Sequence, residues 1–150
     1  MNSSEPINQN DTLPEAVEER LQLAVKTQPL WLKIAEHEME IETLEGTEMV
    51  RAGDAICRGV QGELWPQDME QVRKKYDETG EEDDEGWRKF KPKPGAPPVF
   101  AAAINHSFTV QSGWGLLSGK SGDYLVRSST DKSDHWIVDK TIFEASYRWL

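Results

Sequence analysis

Cysteine, histidine and long apolar runs are scarce in this chain. Its 150 residues include one cysteine, Cys57, and three histidines. No intramolecular disulfide can form, and no Cys or His cluster has metal-ligand spacing. No apolar run approaches the length of about 18 residues that a spanning helix needs, and the amino terminus lacks a basic segment before an apolar core. The sequence predicts a soluble, cytoplasmic protein in which Cys57 is a small buried hydrophobe.

Positive charge is also in short supply. Seventeen Lys and Arg face 27 Asp and Glu, for a net charge of -10. Phosphate backbones and anionic membranes attract clustered Lys and Arg, so this balance argues against nucleic acid or a membrane as the partner. A protein partner or a small ligand is favoured, and the oligomeric state is left open. The chain has no Gly-rich phosphate loop, nucleophile elbow or cofactor motif. We therefore expect that it is not an enzyme and that it binds no cofactor or metal.

One motif is present twice, and the two copies keep register. The offset between copies is 69 residues at first and 71 after a two-residue insertion. The matched pairs are Gly53 with Gly122, Asp54 with Asp123, Arg58 with Arg127, Trp65 with Trp136, Asp68 with Asp139 and Tyr76 with Tyr147. A repeat of about 70 residues is longer than a solenoid unit and is typical of a duplicated small domain.

Most of these repeated residues have a structural role in our interpretation. Gly53 and Gly122 suit turns with positive φ, and the aspartate after each can accept backbone N–H groups in the turn. Each repeated tryptophan supplies a large ring to a small core. Asp68 and Asp139 precede helical runs, where a carboxylate caps the free N–H groups.

The predicted fold class is α+β. Two repeated small antiparallel β units, each closed by a short helix, are expected to pack as a pseudo-dimer behind an N-terminal amphipathic helix. The predicted segments are a disordered tail at 1–11, the N-terminal helix at 12–28, a first β-rich repeat at 29–76, an acidic and Pro-rich connector at 77–98, and a second β-rich repeat at 99–150.

Two of these segments rest on local patterns. The helix prediction starts from a capping box at Thr12 and Glu15, with apolar residues at helical spacing through Val25. The connector prediction rests on the acidic run 81–85, which is expected to loop out, and on prolines. Trp87 and Phe90 interrupt it, so its middle is expected to dock on a unit.

The candidate binding residues are polar or aromatic members of the repeats. His37 and its counterpart His106 alternate with polar residues, which predicts that both lie on the buried side of a strand. Glycines flank Trp114, so its ring is a candidate ligand contact. Arg58 and Arg127 complete the set as candidate binding groups.

The repeated pattern resembles the PGDYG-type family of small bacterial and phage proteins. The resemblance is carried by Gly122-Asp123-Tyr124, by the tryptophan and aspartate of 136–139, by the closing Tyr147, and by the corresponding residues of 53–76. The family's leading proline is Ala52 or Ser121 here. The resemblance implies a fold unit, and it brings no established activity or catalytic residues.

Three functions are compatible with the sequence. The leading hypothesis is a non-enzymatic binding or adaptor module that recognises a protein segment or small ligand at the seam between two repeats. The alternative is an enzyme at that seam that uses His37, His106 and the Asp/Arg pairs. The second alternative is a structural component of a larger assembly, favoured if Trp87, Trp114 and Trp149 were exposed together.

Overall fold

A computed structural model describes residues 15–150, with side-chain surroundings from Val17 onward. The predicted tail at 1–11 and the Thr12 end of the capping box lie outside this range. The chain divides into two units. The contiguous unit is Thr27–Ala96, and the composite unit joins the segment that ends at Lys26 to Pro97–Leu150.

The contiguous unit is a five-stranded antiparallel sheet with one hairpin and one helix. Its elements are β2 (Leu30–Ile34), β3 (Met39–Thr43), β4 (Gly46–Val50), β5 (Ala55–Arg58), β6 (Leu64–Gln67), α2 (Met69–Lys75), β7 (Tyr76–Glu82) and β8 (Arg88–Pro92). The sheet order is β6-β5-β2-β8-β7, and β3 pairs with β4 alone.

The composite unit has the same number of strands in its sheet, but one of them comes from the amino-terminal segment. Its elements are α1 (Glu15–Glu18), β1 (Gln22–Lys26), β9 (Val99–Ala103), β10 (Phe108–Gln111), β11 (Leu116–Gly119), β12 (Tyr124–Ser128), β13 (His135–Val138), α3 (Lys140–Ser146) and β14 (Tyr147–Trp149). The order is β13-β12-β9-β1-β14, and β10 pairs with β11.

The two sheets correspond strand by strand. In each, a first strand is followed by the hairpin, two more strands, a helix and an edge strand. The fourth position in the sheet is β8 in the contiguous unit and β1 in the composite unit. The strand that precedes β2 in the chain therefore pairs with β9, and the strand that precedes β9 pairs with β2.

Each sheet is buried on both faces near its centre. In the contiguous unit, Cys57 packs with Val72 of α2, whereas Ile56 packs with Ile41 and Val50 of the hairpin. Successive strand residues point to opposite faces, so helix and hairpin cover opposite sides. The composite unit repeats this arrangement with Phe143 of α3 on one face and the β10–β11 hairpin on the other. Cys57 is fully buried, as predicted.

One segment prediction is wrong, and another holds only in part. The helix predicted over 12–28 is limited among the described residues to Glu15–Glu18, because Gln22–Lys26 pairs with strands on both sides. Leu21 and Ala24 fit a helical stripe, but tertiary pairing overrides this local pattern. The acidic run of the predicted connector loops out only in part. Glu81 and Glu82 lie in β7, which pairs with β8, whereas residues 83–85 lie in the turn between the two strands.

The antiparallel sheets of the predicted fold class are confirmed, whereas its α+β balance is not. The chain is mostly β, with antiparallel sheets and helices of at most seven residues among residues 15–150. Phe90 is buried in the core of the contiguous unit, and Trp87 packs on the hairpin side, as the docking prediction required. Within the same range no helix is long and apolar enough to cross a membrane.

Candidate functional site

The Gly-Asp turn of the contiguous unit is held by backbone and carboxylate bonds. Gly53 has a φ of +93°, which favours glycine. Its N–H donates to the Ala35 carbonyl at 2.8 Å, and the Ala35 N–H donates to the Asp54 carbonyl at 2.9 Å. The Asp54 carboxylate accepts the Arg51 N–H at 3.0 Å. The repeated aspartate thus closes its own turn.

The Gly-Asp turn of the composite unit makes the same bonds and one more connection. Gly122 has a φ of +99° and donates to the Ile104 carbonyl at 2.7 Å, while Asp123 accepts the Lys120 N–H at 3.1 Å. The Lys120 ammonium also lies 2.9 Å from Asp123 and 2.8 Å from Asp139. The hydrogen bonds from Lys120 lower the pKa of Asp139 and raise the pKa of the lysine. This bridge ties the turn to α3.

The aspartates before α2 and α3 are the helix caps that the sequence predicted. Asp68 accepts the N–H groups of Glu70 at 2.8 Å and Gln71 at 3.3 Å. Asp139 accepts those of Thr141 and Ile142 at 2.9 and 3.2 Å. Each carboxylate satisfies N–H groups that the first helical turn leaves without intrahelical partners.

The repeated tyrosines end the two helices. The N–H of Tyr76 donates to the Val72 carbonyl, and that of Tyr147 donates to the Phe143 carbonyl. The Tyr147 ring stacks on Phe143 with centroids 4.6 Å apart. Burial raises the pKa of Tyr147, although a hydrogen bond with the Trp136 side chain acts in the opposite direction. The motif residues are thus engaged in bonds within their own unit.

Arg58 forms an ion pair within the contiguous unit. Its guanidinium lies 3.2 Å from Asp83, in the turn between β7 and β8, and 4.6 Å from the centre of the Trp87 ring. Asp83 also accepts the N–H groups of Glu85 and Trp87 at 2.9 and 3.0 Å. Partial burial acts to raise the pKa of Asp83, but the two N–H donors and Arg58 outweigh it and lower the pKa.

Arg127 forms the corresponding ion pair in the composite unit, in a drier place. One guanidinium nitrogen donates to both oxygens of Glu18, at 2.9 and 3.0 Å, and the group lies 4.8 Å from the centre of the Phe100 ring. The Arg127 side chain is 7% exposed, against 27% for Arg58. In both units, the repeated arginine pairs with a carboxylate just before the fourth strand of its sheet.

His135 lies directly opposite Arg127 on β13 and was missed by the sequence reasoning. It is 1% exposed, and neither ring nitrogen has a partner at ordinary hydrogen-bond distance and angle among residues 15–150. Burial and the Arg127 charge lower its pKa, against smaller opposing effects of the Ser133 carbonyl, Glu18 and Asp131. Leu64 pairs with Arg58 at the corresponding position. A histidine where the other copy has leucine was the available signal.

His37 and His106 are not on buried faces, contrary to the prediction. Both are exposed and lie in bends before the hairpins, because β3 begins only at Met39 and β10 at Phe108. His106 Nδ1 contacts the adjacent Ser107 carbonyl at 2.9 Å. Neither bond nor ion pair joins these histidines to the arginines or aspartates of the repeated motif in the described part of the chain.

Trp114 lies in the turn between β10 and β11. Its ring is half-buried, and its backbone N–H donates to the Ser112 hydroxyl at 3.1 Å. The same hydroxyl accepts the Gly115 N–H at 3.2 Å. These bonds fix the turn, so Trp114 has a more constrained backbone than its flanking glycines suggested.

Cations and tryptophans gather on the hairpin-side face of the contiguous sheet, which we call the Trp–Arg face. It consists of Trp31, Lys33, Arg58, Trp87 and Lys89, all half-buried. Lys33 lies 4.9 Å from the centre of the Trp87 ring, and Lys89 and Arg58 each lie 5.8 Å from that of Trp31. These are cation–π distances, at which each ring limits the freedom of the cation beside it.

The composite unit has a different surface at the corresponding positions. By strand register, Phe100 replaces Trp31, Ala102 replaces Lys33 and Leu23 replaces Lys89. Val17 and Leu21 pack against the cluster on this side of the sheet. The composite unit therefore lacks the lysines and indoles of the Trp–Arg face and keeps only the arginine, as the buried Arg127.

No family model, curated protein or solved structure matches the chain. Among the described residues, no group of three or more His, Cys, Asp or Glu side chains is placed to hold a metal ion.

Proposed function

We propose that the chain is a non-enzymatic binding or adaptor module, and that its Trp–Arg face takes a protein segment bearing carboxylates. The observation that carries the proposal is the half-exposed array of two tryptophans and three cations. Tryptophan and arginine are the residue types enriched at binding hot spots. The equivalent positions of the composite unit have neither indoles nor lysines.

The carboxylate preference follows from contacts inside the contiguous unit. Arg58 pairs with Asp83, and Lys89 lies 3.3 Å from Glu81. Both cations thus form ion pairs with carboxylates while lying beside a tryptophan ring. A partner segment with acidic and apolar side chains would meet complementary charge and flat aromatic surface there.

The catalytic alternative receives less support from the geometry. His37 and His106 are exposed in bends, and the aspartates of the Gly-Asp turns accept bonds from their own turns. A base, its nucleophile and an orienting group need mutual hydrogen-bond reach. The assembly alternative required three exposed tryptophans, whereas Trp87 and Trp114 are half-buried.

Kinship and architecture belong to the same proposal. The equivalent strand orders and the paired Gly-Asp turns support a duplication of one β-rich unit closed by a short helix. The resemblance to the PGDYG-type proteins is carried by those same turns, and we propose that both units derive from such a fold unit. The proposed setting is the cytoplasm.

Site-directed photo-crosslinking in cells that carry the gene naturally tests the binding proposal. A photoreactive amino acid at Lys33 is expected to give a discrete adduct with one protein, and the same label at the exposed Lys132 of the composite unit serves as the matched control. Trp31→Ala is expected to weaken binding of the recovered protein at least about tenfold, as for a hot-spot residue.

Two results would overturn the proposal. The first is an adduct pattern at Lys33 identical to that at Lys132. The second is unchanged affinity of the recovered protein for a folded Trp31→Ala variant, with the fold checked by circular dichroism.

A further inference from the structure

The segment that precedes β2 is held by residues far away in the sequence. β1 lies between β9 and β14, with Ala24 opposite both Val99 and Trp149. Ala24 is fully buried, and the Leu150 N–H donates to the Leu23 carbonyl at 3.0 Å. We call residues 15–26 the arm, because they join the composite unit from outside Pro97–Leu150.

Side chains of the arm before β1 also bind the composite unit. Glu18 makes the bidentate pair with Arg127, and Arg20 donates to the Ala103 carbonyl. Val17 and Leu21 pack against the core cluster on the hairpin side of the sheet. The arm thus completes the sheet, covers a core cluster and neutralises a buried arginine.

The covalent link between the arm and β2 is short. β1 ends at Lys26 and β2 begins at Leu30, so Thr27, Gln28 and Pro29 form the whole connection. The pairing of β1 with β9 and β14, the Glu18–Arg127 pair and the Arg20–Ala103 bond are non-covalent, and all of them end on Pro97–Leu150. An identical set of bonds is therefore available to the arm of a second copy, with only the short connection changed.

Within a single chain, each sheet already contains one strand from outside its own repeat. The strand before β2 completes the sheet that contains β9, while the strand before β9 completes the sheet that contains β2. β1 thus completes the sheet of the run β9 to β14 from outside that run, and β8 completes the sheet of the run β2 to β7 from outside that run.

We propose that the chain forms a strand-exchanged dimer, in which the arm of each copy completes the composite unit of the other. The occupant of the β9–β14 gap is then a second copy of this chain. The exchanged and closed forms share the same contacts outside the connection, so protein concentration and the strain of that connection set their ratio. This inference is independent of the proposed binding function.

A disulfide across β1 and β14 distinguishes the two forms. Val25 lies opposite Arg148, and Cα atoms of opposed antiparallel residues are about 4.5 or 5.5 Å apart, within disulfide range. Two full chains are prepared with Cys57→Ala, one carrying Val25→Cys and the other Arg148→Cys. Because each chain has one thiol, a disulfide between positions 25 and 148 can form only between chains.

The two chains are unfolded, mixed, refolded at high concentration and oxidised. The expected product is a covalent heterodimer at twice the chain mass of 17.1 kDa, identified by the mass of the 25–148 cross-linked peptide. A chain carrying both substitutions should close within itself on dilute refolding, which verifies that the pair is compatible with the fold. Replacing Arg148→Cys by Glu144→Cys, an exposed site on α3, should abolish the heterodimer.

A second variant tests the connection itself. Deletion of Gln28 shortens the link, and we expect the main species of the otherwise natural chain to shift from monomer to dimer by light scattering. The proposal is overturned if the double-substituted chain closes normally but the mixture yields no heterodimer at any concentration. It is also overturned if the folded Gln28 deletion stays monomeric.

Discussion

The two units have the same strand order but treat one sheet face differently. In the contiguous unit, the face around Arg58 has tryptophans and lysines that are half-exposed. In the composite unit, Phe100 and the arm replace these groups, and Arg127 is almost fully buried. The shared turns and helix caps hold the common framework, so a change of outer-face residues converts a half-exposed surface of cations and indoles into a packed, largely apolar one.

The largest expected effect comes from the helix faces. Phe143 is buried and stacks on Tyr124 and Tyr147, with ring centroids 3.9 and 4.6 Å apart. Phe143→Ala should lower the free energy of unfolding by about 3–5 kcal/mol. The matched change Val72→Ala should lower it by about 2 kcal/mol, since the smaller side chain buries less apolar area. Urea unfolding followed by tryptophan fluorescence measures both, and equal losses would contradict the proposed difference in packing.

The paired arginines give the next largest difference. Arg127→Met should lower the free energy of unfolding by about 2 kcal/mol, because a buried hydrogen-bonded pair is broken. Arg58→Met should lower it by less than about 1 kcal/mol, since its pair with Asp83 is partly exposed and screened by solvent. The same urea titrations compare the variants, and added salt should change the stability difference less for Arg127. A larger loss for Arg58 would contradict the assigned burial.

The helix caps should differ by a smaller amount. Asp68→Ala removes a cap alone, which costs about 1 kcal/mol. Asp139→Ala also removes a partner of Lys120, beside the buried Asp123, so its loss should reach about 2 kcal/mol. Thermal unfolding by circular dichroism gives both values, and Lys120→Met should abolish most of the difference between them.

The smallest effect is a dependence on pH. Burial and the Arg127 charge hold the pKa of His135 in the folded chain below the ordinary histidine value of about 6.5. Below about pH 6.5 the unfolded chain binds a proton that the folded chain does not. The free energy of unfolding should therefore fall as the pH is lowered, by at most about 1.4 kcal/mol per pH unit. His135→Leu, which copies Leu64, should remove this contribution. Urea midpoints measured between about pH 7.5 and about pH 5 give the pH dependence of stability for both chains. An equal pH dependence in His135→Leu and the natural chain would contradict the role assigned to His135.

Local chemistry explains which features could be predicted from sequence. The caps Asp68 and Asp139, and the positive φ of Gly53 and Gly122, depend on neighbours within a few residues. Such features follow from residue type and spacing. The repeat offset also located the arginines that form equivalent ion pairs.

Distant pairing explains the errors. The strand at Gln22–Lys26 is specified by β9 and β14, more than 70 residues further along the chain, and its local spacing also fits a helix. The error at His37 arose because the alternation of residue types begins before β3, which starts only at Met39. Charge repulsion did not keep Glu81 and Glu82 out of β7, since their side chains are exposed and the neighbouring strand β8 contains three cations.

The position of β1 sets an order of events during synthesis. The strands of Thr27–Ala96 leave the ribosome as one uninterrupted set, so the contiguous unit can close early. β1 emerges before all of them but cannot pair until Val99–Ala103 and finally Tyr147–Trp149 follow. While most of residues 27–146 are being synthesised, β1 is thus without both of its partner strands, and a chaperone or a neighbouring nascent chain on the same mRNA can reach it.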